Sequence, residues 1–249
     1  MMQRKGKINL LLSAPWVTIR IFRMDWLHIA DLGVVADTAG NILKELMSRV
    51  PGNSKKEKCA FLYQELQEHY LENHVEDCFD CILPTFFEAE KGNAGYKLRG
   101  SAAKIRALVP WLHRMCIEMM DPAQPADAAM ISCTYHLNEV YKALSSEHND
   151  PTNAMKVHSV RFAAQYVALH DHFNPHDDRA WRIKPKMHLF MHITSDSSIP
   201  RLYWTYRDED FGGSVARMAR RRGGLLRCRA TSRVCLQKFK ISNPIIRVR

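Results

Sequence analysis

The sequence has no run of 18 apolar residues, so we expect no membrane-spanning helix and no membrane partner. Its basic start is followed by a short apolar stretch from Ile8 to Leu12, which Asn9 interrupts and which is too short for a secretory signal. Seven cysteines are scattered through 249 residues and do not have the spacing of a disulfide framework. These absences predict an intracellular protein.

The signature motifs of several large enzyme classes are also missing. The sequence contains no G-x-S-x-G, no glycine-rich dinucleotide loop and no Walker motif, and the glycine-rich stretch 90–100 lacks phosphate-loop spacing. The pair His188-x-x-x-His192 lacks the glutamate of an H-E-x-x-H protease. These observations argue against serine-nucleophile, dinucleotide-dependent, P-loop and zincin chemistry.

Zinc ligands are present only in incomplete patterns. Cys78-x-x-Cys81 is the one close cysteine pair, and the nearby His69 and His74 do not fall at zinc-finger spacing. Several other histidines have ligand-like spacing, although histidines of amphipathic helices also serve as half-buried polar residues. These are His170, His172 and His176 in one segment, and His188 and His192 in another.

Positive charge is concentrated at the carboxyl end of the chain. Residues 201–249 hold 13 Lys and Arg but only 3 acidic residues, whereas residues 1–200 hold 23 of each sign. Such a basic segment is typical of a protein that binds a polyanion, and a solvated tail is the alternative. The arginines that we assign to polyanion binding are Arg217, Arg220, Arg221, Arg222, Arg227 and Arg229.

The stretch 17–25 alternates between apolar and other residues, with Val17, Ile19 and Ile21 on one face, and this predicts a strand that ends at Asp25. The spacing then changes to a helical one, which continues to Pro51-Gly52. A side chain where a strand passes into a helix is held rigidly and faces solvent or ligand, so Asp25 is a candidate catalytic residue. The residues of the predicted helix face are Leu32, Val35, Ala39, Ile42 and Leu46.

The middle of the chain is predicted to be helical. Ser54-x-x-Glu57 forms a capping box for a helix over 54–72, and Asp150 before Pro151 predicts the start of a helix over 151–172. Residues 101–120 and 124–146 are predicted to form two further helices. Near the carboxyl end, Thr205-x-x-Asp208 predicts the start of a helix that reaches Arg222 and stops at Gly223.

Three consecutive acids, Asp208, Glu209 and Asp210, open that last helix. Phosphoryl transfer by two Mg²⁺ ions needs carboxylates that converge from separate elements, and Asp25 together with one of these acids would suit it. The alternative is that the acids stabilise the amino end of the helix, because negative charge there favours the helix dipole.

The stretch VTIRIFRMDWLHIADLGVVADTAGNIL resembles the D-x-x-H block of cut-and-paste transposases of the DDE/D class. Those families then have a largely helical insertion, a K-P-K-x-H-x-x-x-H block, and an aromatic strand that leads to a final acid on a helix. The later blocks here are WRIKPKMHLFMHI and YWTYRDEDFGGSVARMARRRGG, so order and spacing agree over residues 16–224. The nearest likeness is to open reading frames of protist mobile elements, and the CACTA, hAT and Kyakuja–Dileera–Zisupton groups are more distantly similar.

The resemblance implies a mainly α fold with a small β component, in which a large helical insertion interrupts an incomplete RNase H-like core. Asp25 would match the second acid of the catalytic triad, and Glu209, or else Asp208 or Asp210, the last. These acids would bind Mg²⁺ or Mn²⁺, the partner would be DNA, and the location would be nuclear. The side chains expected to line or brace the site are His28, Lys186, His188 and His192.

The first acid of such a triad lies upstream of the D-x-x-H block, but residues 1–24 contain no Asp or Glu. We therefore expect a carboxyl-terminal part or decayed copy of a transposase, which does not cleave DNA alone. The alternatives are a non-catalytic nucleic-acid-binding protein and a helical interaction domain. The expected division is a D-x-x-H segment (1–53), a helical insertion (54–180), the Lys-Pro-Lys block with the acidic helix (181–224) and a basic tail (225–249).

Overall fold

The computed structural model describes residues 23–87 and 95–206, together with Gly213, Ser214, Ala216, Arg217, Arg220, Arg233 and Gln237. Contacts along the chain separate two units, Met1–Tyr203 and Trp204–Arg249. The first unit contains a π-helix (Leu27–Val35) and seven α-helices in its described part. These are α1 (Ala36–Arg49), α2 (Lys55–Glu72), α3 (Ala102–Ala107), α4 (Val109–Met119), α5 (Pro125–Leu144), α6 (Pro151–Phe173) and α7 (Pro185–Ser195).

The protein is mainly helical, as predicted, but the small β component is not found in the residues that the structure describes. Residues 23–25, the end of the predicted strand 17–25, are irregular and lead directly into helix at Trp26. The rest of that predicted strand lies outside the described residues. Alternation over a few residues is a weak signal, and here the Asp25 carboxylate starts a helix at the point where the alternation ends.

The predicted helix after Asp25 is confirmed, with a change of helix type inside it. Val35, Ala39, Ile42 and Leu46 are completely buried, but Leu32 is only half-buried. Leu32 lies in the π-helix, where hydrogen bonds run from residue i to i+5, so the 3.6-residue spacing of the sequence pattern does not hold there.

Two of the three predicted capping signals are confirmed, and the third, Thr205-x-x-Asp208, extends beyond the described residues. The Ser54 hydroxyl accepts a hydrogen bond from the backbone N–H of Glu57 (3.2 Å), and the Glu57 carboxylate accepts one from the backbone N–H of Asn53 (2.8 Å). The Asn53 bond lowers the pKa of Glu57, because it stabilises the ionised carboxylate. At the start of α6, the Asp150 carboxylate accepts from the backbone N–H of Asn153 (3.1 Å).

The single helix predicted over 101–120 is two helices, α3 and α4, which meet at Leu108. Pro110 explains the break, because a proline in the second position of a helix fits its start but has no N–H to continue a preceding one.

Aromatic side chains join the helices in the core. α5 packs along α6, and α7 packs on both α6 and the π-helix. The rings form a continuous buried series with centroid separations between 5.2 and 6.0 Å. In order of contact these residues are Tyr141, Trp26, Phe190, Phe162, Tyr166 and Trp181. The series holds the start of the π-helix against α7, which is where two of the sequence blocks meet.

Across residues 23–87 and 95–206, no helix combines the length and apolar character needed to cross a lipid bilayer.

Candidate functional site

Asp25 caps the amino end of the helix that begins at Trp26. One of its carboxylate oxygens, Oδ2, accepts a hydrogen bond from the backbone N–H of His28 (3.1 Å). The same oxygen contacts Nδ1 of the His28 ring. The Asp25 side chain is 18% exposed and the His28 side chain 56% exposed, so the pair faces solvent. The D-x-x-H spacing is therefore a capping arrangement that fixes both side chains at the surface.

Lys186, from the Lys-Pro-Lys block, joins this pair. Its ammonium group donates a hydrogen bond to the backbone oxygen of His28 (2.8 Å), across 158 residues of sequence. Gly33 makes room for the lysine chain, since a Cβ at this position would lie 2.7 Å from Lys186 Cδ. Burial lowers the pKa of Lys186, and the charge of Lys97 adds to that effect.

The same block is anchored by two polar residues of α1 that the sequence analysis missed. The Lys184 ammonium group contacts the buried carboxylate of Asp37 at 2.8 Å. The Asn41 side-chain oxygen accepts a hydrogen bond from the backbone N–H of Trp181 (2.8 Å). Burial raises the pKa of Asp37, and Lys184 opposes this increase. Two polar residues four apart on an otherwise apolar helix face were the available signal.

We call the set Asp25, His28, Asp37, Lys184 and Lys186 the block junction. It brings together three of the residues that the sequence analysis assigned to the site, Asp25, His28 and Lys186. α7 begins at Pro185, directly after Lys184, and its first turn carries Lys186 against the D-x-x-H segment.

His188 and His192 form a separate pair. Their Nε2 atoms lie 2.9 Å apart, and both side chains are exposed on α7. Positions two apart on an α-helix are separated by about 200°, so His188 lies on a different face of α7 from Lys186. The two imidazoles thus contact each other at the surface, while Lys186 contacts the π-helix.

The acids Asp208, Glu209 and Asp210 lie outside the described residues, as do Arg221, Arg222, Arg227 and Arg229. Arg217 and Arg220 are helical and exposed. Nowhere in 23–87 or 95–206 do three His, Cys, Asp or Glu side chains come close enough together to hold a metal ion.

Comparison with protein-family models, with curated proteins and with solved structures found no match to this chain.

Proposed function

We propose that this protein is derived from a DDE/D-class transposase, that its partner is DNA, and that it does not cleave DNA by itself. In this proposal the block junction is what remains of the catalytic centre. Asp25 would supply one carboxylate to Mg²⁺ or Mn²⁺, and Glu209, Asp208 or Asp210 another. The ions would stabilise the charges on the attacking and leaving oxygens of a phosphodiester. An RNase H-like core and a nuclear location are part of the same proposal.

The observation that supports this proposal most directly is the contact between Lys186 and His28. The resemblance requires the D-x-x-H and K-P-K blocks to meet, although 158 residues separate these two residues. Nothing in the composition or helical periodicity of the chain demands this contact. The ion pair between Lys184 and Asp37 joins the same two segments a second time.

The proposed lack of cleavage has a chemical reason. Two-metal catalysis needs several converging carboxylates, and residues 1–24 contain no Asp or Glu to supply the acid that the resemblance places upstream of Asp25. Asp25 Oδ2 already accepts the backbone N–H of His28 and contacts the imidazole.

A plasmid-nicking assay tests this part of the proposal. Purified protein is incubated with supercoiled DNA and Mg²⁺ or Mn²⁺, and we expect the same background of nicked product for wild type and Asp25→Asn. Metal-dependent nicking by the wild type that disappears in Asp25→Asn would show an active nuclease and contradict the proposal.

A non-catalytic nucleic-acid-binding protein is the second candidate. Arg217 and Arg220 favour it, because they are exposed and lie three apart, and therefore on one side of a helix, within the most basic part of the chain. This candidate and the first both require DNA binding, whereas a purely structural helical domain does not.

A further inference from the structure

A cleft of about 610 Å³ opens between the carboxyl end of α1 and the amino end of α2. Its wall is completed by the turn at Pro84–Phe86 and by residues near Tyr96. The described side chains that line it include four cations and no carboxylate. The cations are Lys44, Lys55, Lys58 and Arg179. We call this region the basic cleft.

Two of the cations are held by one aromatic ring. Lys44 Nζ and Arg179 Cζ each lie 5.7 Å from the centroid of the Tyr96 ring. Asp177 fixes this arrangement, because it accepts hydrogen bonds from Tyr96 Oη (2.7 Å) and Arg179 Nε (3.1 Å). Burial and the hydrogen bond to Asp177 raise the pKa of Tyr96 to about 12, so the Tyr96 side chain stays neutral.

A third cation is positioned by the backbone. The Lys58 ammonium group donates to the backbone oxygen of Met47 (2.7 Å), which holds the end of the side chain at the cleft. The nearest acid on the same helix, Glu57, accepts hydrogen bonds from Asn53 and Ser54. Glu45 acts electrostatically on Lys44, and Asp177 and Asp178 act on Arg179, but no carboxylate is among the described side chains that line the cleft.

The size and lining of the basic cleft indicate the class of ligand. A volume of about 610 Å³ exceeds what a single phosphate fills and is within the range of small-molecule sites. The aromatic rings expose little surface, since Tyr96 is 7% and Phe87 2% exposed, and neither offers an open face for stacking a base. The recognisable feature of the ligand is therefore its negative charge.

We propose that the basic cleft binds a linear polyphosphate, either free or as the phosphate chain of a nucleoside triphosphate. Lys44, Lys58 and Arg179 neutralise the phosphate oxygens, and the guanidinium adds the planar fork that suits them. The described residues that line the cleft are not members of the block junction, and all of them precede the basic carboxyl end in sequence. Along the axis of α1, Lys44 is seven residues, or roughly 10 Å, from Asp37 of the block junction.

Isothermal titration calorimetry of the full chain tests the proposal, with inorganic tripolyphosphate as the probe. We expect binding that Lys44→Gln/Arg179→Gln weakens at least tenfold. Lys56→Gln is the control. Lys56 is an exposed lysine of α2, the helix that carries Lys58, but it does not line the cleft, so its replacement should change the affinity less than twofold. Circular dichroism confirms that each variant is folded, and Lys44→Gln alone replaces the double variant if that one unfolds.

Three further titrations identify the source of the phosphate. ATP should bind about as tightly as tripolyphosphate. For orthophosphate and for a 20-base-pair duplex, the cleft variant and Lys56→Gln should have the same affinity. Equal weakening by Lys56→Gln and the cleft variant would indicate general charge attraction and overturn the proposal. Binding of ATP without binding of tripolyphosphate, or a cleft effect on the duplex alone, would overturn it as well.

Discussion

Asp25 has a structural role as a helix cap, and a suitable substitution tests that role separately from any catalytic role. Its carboxylate caps the helix that begins at Trp26, and asparagine is as good a cap as aspartate, whereas alanine has no acceptor. We expect Asp25→Ala to lower the free energy of unfolding by about 0.5–2 kcal/mol and Asp25→Asn to cost much less. The contact with His28 adds little, because that imidazole is more than half exposed. Urea denaturation of the two variants measures the difference.

Equal destabilisation by the two substitutions would show that the charge of Asp25, rather than its capping bond, stabilises the helix. Glu57→Gln serves as a comparison in the same experiment, because Glu57 accepts from a backbone N–H at the start of α2.

His136, which is buried, and His158, which is half-buried, form a pair that predicts a pH dependence of stability. Their Nδ1 atoms lie 3.0 Å apart, so two protonated rings would repel each other. Burial lowers the pKa of both, and in His136 the neighbouring His158 adds to the effect, while Glu139 acts in the opposite direction on both. A histidine with a lowered folded pKa stabilises the fold fully above its unfolded pKa of about 6.5, and that contribution is lost as the pH falls below it.

We therefore expect thermal stability to decrease from pH 7 to pH 5, and His158→Gln to reduce the slope of that decrease. Differential scanning calorimetry at several pH values measures it. His74→Gln is the control, because His74 is exposed and outside this pair. An unchanged slope in His158→Gln would assign the pH dependence to other groups.

Local contacts could be predicted residue by residue, and distant ones could not. Ser54 and Asp150 cap their helices as the sequence indicates, because each contact spans three residues and depends only on local chain geometry. The ion pair of Lys184 and Asp37 spans 147 residues. No periodicity encodes such a pair, since it depends on how the segment just before α7 lies against α1.

At the level of elements, Gly40 marks a close approach between α1 and the segment 95–99. A Cβ on Gly40 would lie 2.5–2.8 Å from backbone atoms of Lys97, and the backbone N–H of Leu98 donates to Ala36 O (2.8 Å). We expect Gly40→Ala to destabilise the protein by about 1–3 kcal/mol, because overpacking against backbone outweighs the higher helix propensity of alanine, which is worth about 1 kcal/mol. Chemical denaturation measures it.

Gly33→Ala is the matched comparison. Its new Cβ would meet the Lys186 side chain, which can move, and the His28 backbone oxygen at 3.1 Å. We expect a smaller loss of stability than for Gly40→Ala. A larger loss would mean that the contact between Lys186 and His28 is the more rigid of the two.

Elements were predictable in number and position where an apolar stripe and a cap coincide, as in α2 and α6. They were not predictable where the backbone geometry changes inside a continuous pattern. The sequence after Asp25 reads as one α-helix, but Leu27–Val35 form a π-helix, because side-chain periodicity alone does not specify hydrogen-bond register. The prediction of a strand over 17–25 was wrong at residues 23–25 for a related reason. The capping bond of Asp25 outweighs the preference of a short alternating stretch for the extended conformation.

On the scale of the whole molecule, the excess positive charge and the block junction lie in different parts of the chain. The first 200 residues have no net charge, and the whole formal excess of +10 lies in residues 201–249. The block junction lies in the first unit, Met1–Tyr203, and Arg217 and Arg220 lie in the second. A DNA partner would therefore bind mainly through a segment that is separate along the chain from the block junction.

This separation gives a sharp prediction for DNA binding by the full chain. We expect duplex affinity to fall steeply with salt, because each phosphate contact contributes a slope of about −0.9 in log K against log salt. Replacing Arg217, Arg220, Arg221, Arg222, Arg227 and Arg229 by Gln should reduce both affinity and slope, whereas Lys184→Gln/Lys186→Gln should change neither strongly. Fluorescence anisotropy between 50 and 300 mM salt measures both. Binding that is absent, or insensitive to salt, would instead favour a helical interaction domain without a nucleic-acid role. A slope that only the lysine variant reduces would move the DNA contact to the block junction, next to the carboxylate of Asp25.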